Sequence, residues 1–387
     1  MSKKTVLFFT GSRADYGLLK PLIKIFSDDK TLITRVAAGG HHFLKLYGNT
    51  YKEIIKDKIK LNYISKLMIY NTNNKDLIKF LGDSLKNYSK LINKAKPDIV
   101  ILLGDRYEVF CFCVASFFLN VPIVHIHGGE LTLGAFDDGL RHSITKLSNY
   151  HFVSHFIYKK RVIQLGENPK RVFNVGALGV ENIKKTKLIN RNTLLKKYKI
   201  PQNKRLALVT FHPVTKNNRE YANQINRLLL SISKVKSFFY IFTNSNTDPN
   251  GKYFIKKINN FVKKNNNSKL FSSLGSKVYL SFVKYVDLVI GNSSSGIIEA
   301  PALRTQTLNI GNRQEGREFS KSIISCDCKS WKIVNMLNSI LYNKKKIKFQ
   351  NIYYRKNTSE KIFSKIKNIL KKNYELKKFY DVKFQNK

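Results

Sequence analysis

The sequence predicts an α/β protein built from two Rossmann-like halves, and three observations lead there. Wholly apolar runs such as Ile99-Val-Ile-Leu-Leu103 read as parallel strands covered on both faces. These runs alternate with amphipathic segments of helical period, the pattern of crossover units on a parallel sheet. The chain has 387 residues, too many for one ordinary core and suited to two. A polar, lysine-rich segment over 181–204 separates two series of strands and reads as the crossover. The expected limits are 1–178 for an amino-terminal domain, 179–360 for a second domain, and 361–387 for a basic terminal helix whose candidate partner is the first domain. Two halves with an interdomain cleft is the economical architecture, since the chain shows neither an internal repeat nor a low-complexity linker.

Each element has a local reason. Thr5-Val-Leu-Phe-Phe-Thr10 is the first strand, Gly11-Ser-Arg-Ala-Asp-Tyr-Gly17 the loop after it, and Leu18 opens the first helix. Thr34-Arg-Val-Ala-Ala38 is the second strand and ends in Gly39-Gly-His-His42. Over 75–96, Leu77, Ile78, Leu81, Leu85 and Leu91 recur at helical spacing. The strand at 99–103 stops at Gly104-Asp105-Arg106, and Ile123-Val-His-Ile126 stops at His127-Gly-Gly-Glu130. The longest mostly apolar run, 109–126, is broken by Asn120 and Pro122 and reads as a core helix and a core strand, not a membrane span. A helix is expected from Leu140, a strand over 151–154, and a last strand of this half over 172–175. In the second half, strands over 206–211, 238–243, 286–290 and 307–310 end at His212-Pro213, Asn244-Ser-Asn-Thr-Asp248, Gly291-Asn-Ser-Ser-Ser-Gly296 and Gly311-Asn-Arg-Gln314.

Composition narrows the function classes. Lys and Arg number 70 against 25 Asp and Glu, a formal charge of +45, which raises a basic nucleic-acid-binding protein as one reading. The lysines are scattered, however, and no basic run alternates with aromatics. Solvated helix faces are the plainer reading, and such a field still attracts an anionic nucleotide. Val6-Leu-Phe-Phe9 is too short for a signal peptide, so the chain is expected to be cytoplasmic. Cys111/Cys113 and Cys326/Cys328 are Cys-x-Cys pairs, tighter than usual zinc spacing. The first pair lies among Phe and Val, a setting for small buried hydrophobes, and disulfides are not expected in a cytoplasmic chain.

Ligands of open α/β sheets bind at the carboxyl ends of the strands. Asp105, Arg106, Glu130, Asp137, Asp138, Arg141 and His142 are therefore expected to line one crevice. Carboxylates beside arginines point to proton chemistry on an anionic substrate. Crowding pushes their pKa values apart and assigns acid and base roles, with at least one carboxylate expected in a structural ion pair with Arg106 or Arg141. In the second half, Ser293, Ser294 and Gly296 open a helix whose N–H groups suit phosphate, with ordinary N-capping as the alternative. Glu299, one turn further, suits ribose hydroxyls. Arg13 and Arg313 are anion candidates, although neither Gly-x-Gly-x-x-Gly nor a Walker A pattern is present. His212 ends a strand and suits donation to a phosphate or proton transfer. His125 and His127 beside carboxylates raise a metal site. The histidines at 41, 42, 151 and 155 are read as structural.

These segments also carry a family resemblance. Gly11-Ser-Arg-Ala-Asp-Tyr16, Gly104-Asp-Arg-Tyr-Glu108, His125-Ile-His-Gly-Gly-Glu130, Asp137-Asp138 with Arg141-His-Ser-Ile-Thr-Lys146, Phe211-His-Pro213, Gly291-Asn-Ser-Ser-Ser-Gly-Ile-Ile-Glu-Ala-Pro301 and Asn309-Ile-Gly-Asn-Arg-Gln-Glu-Gly-Arg317 are its marks. The chain resembles the hydrolysing UDP-N-acetylglucosamine 2-epimerases of sialic acid biosynthesis and their legionaminic acid counterparts, over nearly its whole length. The resemblance implies a GT-B-like fold with the active site between domains. It implies elimination of the nucleoside diphosphate to a glycal, then hydration with inversion at C2. The product is a free manno sugar: N-acetylmannosamine from UDP-N-acetylglucosamine, or the corresponding 2,4-diacetamido-2,4,6-trideoxymannose from a UDP- or GDP-linked substrate. It implies no metal, no cofactor, no nucleic-acid or membrane partner, and a homodimer or homotetramer.

Residue by residue, the resemblance puts diphosphate or nucleotide contacts at Arg13, Arg106, His212, Ser293, Ser294 and Arg313. Glu299 matches a ribose-binding carboxylate, Asn246 an asparagine of the nucleotide site, and Asp105 and Asp137 catalytic aspartates. Some members carry a catalytic glutamate where this chain has His127, and Glu130 is then the nearest carboxylate. The paired aspartates and the Arg141-to-Lys146 run separate this group from the non-hydrolysing epimerases of the same fold. A non-hydrolysing epimerase, a glycosyltransferase and a basic nucleic-acid-binding protein are the competing readings.

Overall fold

The computed structural model describes residues 3–44, 48–67, 74–133, 136–214, 220–245, 250–342, 347–372 and 375–383. The chain divides into two compact units. The first comprises Met1–Glu130, Asp137–Asn182 and Arg355–Lys387, the second Leu131–Phe136 and Ile183–Tyr354.

The first unit holds seven strands: β1 (Lys4–Thr10), β2 (Leu32–Ala38), β3 (Tyr63–Ile64), β4 (Ile99–Leu103), β5 (Ile123–Ile126), β6 (Tyr150–Val153) and β7 (Val172–Asn174). Their order in space is β3-β2-β1-β4-β5-β6-β7, and every pairing is parallel. Alternation along a strand sends its side chains to two cores. Val6 and Phe8 join the helices on one face, whereas Leu7 and Phe9 join those on the other. The strand order reverses between β1 and β4, which makes their carboxyl ends a topological switch point.

The second unit repeats the plan with β8 (Arg205–Thr210), β9 (Phe238–Thr243), β10 (Ser268–Phe271), β11 (Leu288–Gly291), β12 (Gln306–Ile310) and β13 (Ile323–Cys326). Their order is β10-β9-β8-β11-β12-β13, again all parallel. Its switch point lies between β8 and β11. Ala207 and Val209 face one core, and Leu206 and Leu208 the other.

Several expected boundaries move. The first helix spans Arg13–Asp28, so most of the expected Gly11–Gly17 loop is helix. Asp15 stabilises that start by accepting from Gly11 N–H at 2.7 Å and from the Ser12 hydroxyl. The helix expected from Leu140 runs over Asp137–Leu147, with both aspartates in its first turn, where negative charge meets the positive end of the helix dipole. The 181–204 segment contains the end of helix Leu178–Lys185 and all of helix Arg191–Tyr198. The four cysteines are free thiols; burial pushes those of Cys111 and Cys113 up to about 12. No helix among the described residues is long and apolar enough to cross a membrane.

The terminal helix, Thr358–Leu370, belongs to the first unit. Ile362 and Ile366 enter the core beside Leu19, Ile23 and Phe26. Phe363 packs edge-on to Phe26 at 4.9 Å, and Lys367 pairs with Asp29 at 2.5 Å. Ile366→Ala is expected to destabilise the first unit by about 2–4 kcal/mol. Hydrogen exchange should show the loss in β1 and helix Arg13–Asp28, with β8 and β11 unchanged.

Candidate active site

In the first unit the site grows from the ends of β4 and β5. Gly104, with φ of +84°, turns the chain sharply after β4. Asp105 then accepts from Nη2 of Arg141, whose side chain is 1% exposed. Nη1 of the same guanidinium donates to the Glu130 carbonyl at 2.6 Å and lies 3.8 Å from Asp138 Oδ1. His142 Nε2 stands 4.0 Å from that same Asp138 oxygen, one helical turn along. Asp105, Glu130, Asp138, Arg141 and His142 are thus brought together, and Asp137 opens the helix that carries three of them. Arg141 forms an ion pair with Asp105 directly.

Glu130 is buried, and its Oε1 accepts from Ser154 Oγ at 2.8 Å. His127 Nδ1 lies 3.6 Å from the same oxygen. His127 itself has a left-handed backbone, with φ of +67°. Its Nε2 accepts from the Leu178 N–H at 3.4 Å. A backbone N–H only donates, so Nε2 is bare and the ring proton sits on Nδ1, toward Glu130. His127 is therefore a neutral neighbour of the Glu130 carboxyl.

His125 is committed elsewhere. It contacts the Gly104 carbonyl at 2.7 Å and Thr145 Oγ1 at 3.0 Å, and burial pushes its pKa down to about 3. Among the described residues no group of three or more His, Cys, Asp or Glu side chains is placed to hold a metal. Of the histidines read as structural, His42 bridges Thr10 and Thr50, His151 meets Glu167 at 2.9 Å, and His155 caps a helix. His41 instead joins a cluster with Arg106. Nη2 of Arg106 donates to His41 Nδ1 at 3.0 Å, and Nε donates to Glu108 at 3.3 Å. Sequence reasoning missed Glu108 and Ser154; the polar run Asp105-Arg-Tyr-Glu108 at a helix start was the available hint. Arg13, half-buried, is the first residue of its helix beside the pinned Gly11–Asp15 turn.

In the second unit the site surrounds the ends of β8 and β11. Gly291 has φ of +135°, and a Cβ there would lie 1.9 Å from the Thr210 carbonyl oxygen, so glycine alone fits. Asn292 then clasps the end of β8. Its Oδ1 accepts from the His212 N–H and its Nδ2 donates to the His212 carbonyl, both at 2.8 Å. The Asn292 carbonyl accepts from Arg313 Nη1 at 3.2 Å and Gln314 Nε2 at 2.9 Å. His212 Nδ1 is 3.3 Å from Ser245 Oγ.

Ser293 caps helix Ser294–Ala302 by accepting from Ser295 N–H at 3.4 Å, so the capping role is real. Gly296 lets that helix approach β12, since a Cβ would meet Thr307 Cγ2 at 2.9 Å. His212, Ser293, Ser294, Gly296 and Arg313 gather at this switch point. Glu299 is half-buried on the same helix. Asn246 lies outside the described residues.

The family described as UDP-N-acetylglucosamine 2-epimerase matches residues 24–367 of the chain. The chain belongs to the UDP-N-acetylglucosamine 2-epimerase family. It is 40% identical to the hydrolysing GDP/UDP-N,N'-diacetylbacillosamine 2-epimerase of Campylobacter jejuni, over 84% of this chain and 85% of that protein. It is 37% identical to polysialic acid biosynthesis protein P7 of Escherichia coli, over 98% of both. The crystal structure of the Neisseria meningitidis UDP-GlcNAc 2-epimerase bound to UDP-GlcNAc matches with a TM-score of 0.78 and 19% identity, covering 95% of this chain and 100% of that one. At that identity the likeness speaks to the fold, which is GT-B-like as the resemblance implied.

Asp105 and the Glu130 carbonyl thus rest on one buried guanidinium. Arg141→Met is expected to destabilise the first unit by about 3–5 kcal/mol, because it leaves Asp105 and Asp138 without their buried counter-charge. Arg141→Lys should recover less than half of that, since an ammonium cannot serve both partners in plane. Urea unfolding of the three proteins measures the difference.

Proposed function

We propose that this chain is a hydrolysing nucleotide-sugar 2-epimerase. The observation that carries the reading is the division between switch points. One bears carboxylates held in a buried charge network, and the other bears clustered N–H, hydroxyl and guanidinium donors. The C2–H of a sugar is a poor acid, so its removal must be assisted by departure of a stabilised leaving group. In the first stage a carboxylate takes the C2 proton while the C1–O bond to the nucleoside diphosphate breaks, giving a glycal. In the second, water adds its hydroxyl to C1 and a proton reaches C2 from the opposite face. The products are the nucleoside diphosphate and a free manno sugar.

Asp105, Glu130 and Asp137 are the proposed acids and bases. Glu130, not His127, takes the glutamate role, because His127 is a neutral donor turned toward it. His212 assists the leaving group with a hydrogen bond or a proton. Arg13, Arg106, Ser293, Ser294 and Arg313 are assigned to the diphosphate, with Gly296 seating the serines' helix against β12, and Glu299 with Asn246 to the nucleoside. Arg141 acts through Asp105 and is a positioning residue, with Asp138 and His142 beside it. The chemistry asks for no metal or cofactor, and the proposed setting is a cytoplasmic homo-oligomer. The named activity of the Campylobacter relative favours a diacetamido sugar on GDP or UDP, whereas the Neisseria structure holds UDP-GlcNAc.

Proton NMR of the purified protein with both sugars on both nucleotides tests the reading. Free manno sugar plus nucleotide is expected; a nucleotide sugar interconverted at C2 without release would make it a non-hydrolysing epimerase. Asp105→Asn is expected to lower turnover by about 1,000-fold while leaving the affinity for the nucleoside diphosphate within about twofold. Equal loss of both would remove Asp105 from the proton chemistry. Arg313→Ala should weaken binding of the free nucleoside diphosphate about tenfold by calorimetry, the scale of one charge-assisted hydrogen bond.

A further inference from the structure

Glu108 is a carboxylate that the proposed reaction does not use, yet the fold closes around it. Its side chain is fully buried in the first turn of helix Tyr107–Phe118. Two loops give up side chains to admit it. A Cβ on Gly11, after β1, would lie 3.1 Å from Glu108 Cβ. A Cβ on Gly40, after β2, would lie 2.8 Å from Glu108 Oε1. These loops are locked to each other, because His41 N–H donates to the Gly11 carbonyl at 2.9 Å. Glu108 is thus wedged where three strand ends converge.

Its contacts are specific. Oε2 accepts from Arg106 Nε at 3.3 Å. Oε1 lies 3.3 Å from His41 Nε2 but accepts no hydrogen bond among the described residues. A guanidinium only donates, so the 3.0 Å contact from Arg106 Nη2 makes His41 Nδ1 the acceptor and places the ring proton on Nε2. That nitrogen is closer to Tyr107 Oη, at 2.8 Å, than to Glu108. His41 is therefore neutral, and its burial lowers its pKa further. Arg106 is gripped at Nε and Nη2, and its guanidinium carbon stands 5.2 Å from the Tyr107 ring centroid.

We infer that Glu108, with His41, is a positioning residue that aims Arg106 and sets the net charge this cluster offers to an anionic substrate. The inference rests on the reading of Arg106 as a diphosphate contact. Aiming follows from the two-point grip, which removes rotamer freedom before the ligand arrives.

Charge setting follows from which groups face the carboxyl. Arg106 is the cation. Asp15 from helix Arg13–Asp28, Tyr88 from helix Asn74–Ala95 and Cys111 from its own helix are neutral or negative, and His41, held by Tyr107, is neutral. One half-buried cation against a desolvated carboxyl leaves burial as the larger effect, and it raises Glu108 to about 7. A diphosphate beside Arg106 adds negative charge and raises that value further. Binding then takes up a proton, so affinity is greater below neutrality and falls as pH rises through about 7.

Glu108→Gln separates this from a merely structural role, because the amide keeps the shape and the acceptor for Arg106 but cannot ionise. UDP and GDP are titrated by calorimetry into wild type and variant at about pH 6 and about pH 8.5. Wild-type affinity for whichever nucleotide binds should fall at least about threefold more than that of the variant, the linkage expected for a half-unit rise in the Glu108 pKa on binding. Comparing the two proteins cancels titration of the nucleotide's own phosphate. Equal slopes overturn the inference. A second measurement needs no ligand: the ¹⁵N resonance of Arg106 Nε should move between the same pH values in wild type and stay still in Glu108→Gln. An immobile wild-type resonance, or equal movement in both, overturns the inference even if neither nucleotide binds. Absence of nucleotide binding with the resonance moving as expected would instead sink the diphosphate reading of Arg106. His41→Asn keeps the ionisable Glu108 and should retain the pH slope at weaker affinity; loss of the slope there would shift the titrating role to His41 and overturn the assignment.

Discussion

Every strand pairing among the described residues is parallel, and the placement of the candidate site follows from that constraint. Parallel strands need crossover helices, and crossovers cover both faces of the sheet. β4 is buried at all five positions and so cannot carry charge along its length. Along this strand polarity appears only where the chain leaves the sheet. The strand orders reverse between β1 and β4 and between β8 and β11, so crossovers there depart to opposite sides and leave the carboxyl ends uncovered. Arg13, Asp105, His212 and Ser293 all follow one of these four strands.

Burying charge at such an edge is costly unless partners are close, and Arg141 shows how the cost is met. A fully buried guanidinium faces a desolvation penalty of several kcal/mol, and one carboxylate rarely offsets it. Here the planar donor group takes an Asp105 oxygen and a backbone carbonyl, with Asp138 within 4 Å. One side chain thereby ties the β4 loop and the loop after β5 to the helix that supplies it. Glu108 is the inverse case, a buried carboxylate with one cation on a single edge. That imbalance leaves Asp105 paired and Glu108 poised near neutrality, although they stand three residues apart.

The interior of the fold was legible in the sequence and its rims were not. Ile99–Leu103, Ile123–Ile126 and Phe238–Thr243 have the ends that their largely apolar runs indicate, because burial leaves no room for unpaired charge. β3, β10 and β13 are edge or near-edge strands, half-exposed along most of their length, and carry no such signature. Helices starting at Arg13 and Asp137 looked like loops since their first turns are charged, the composition that a helix N-terminus favours. The grouping of Asp105 with Glu130, Asp138 and Arg141 was readable from strand ends alone. The burial of Glu108 was not, because it depends on Gly11 and Gly40, which lie about seventy and more residues away in sequence. The left-handed backbone of His127 and the contact of its ring with Leu178 had no signature in the sequence either.

The two switch points differ in kind, and the difference suits a reaction in which proton transfer and bond breaking must coincide. The donors of the second unit are backbone N–H groups, serine hydroxyls, a guanidinium and a histidine held by Asn292. Apart from that histidine none changes charge near neutrality, so a leaving diphosphate would meet a field that need not reorganise. The first unit instead sets carboxylates beside cations and histidine: Asp105 under the buried Arg141, Glu130 beside His127, and Glu108, which burial raises to about 7. Fixed donors cannot remove a carbon-bound proton, and titrating groups make a poor cradle for a diphosphate, because each change of charge would alter the affinity. A chain that gathers carboxylates on one sheet and hydroxyl and N–H donors on the other keeps acidity and most of the proposed leaving-group contacts on separate groups, with Arg13 and Arg106 the anion donors proposed on the first sheet. By the same argument Glu108 is an exception within its own unit, a titrating group coupled to an anion donor, and it is there that acidity and binding would become linked.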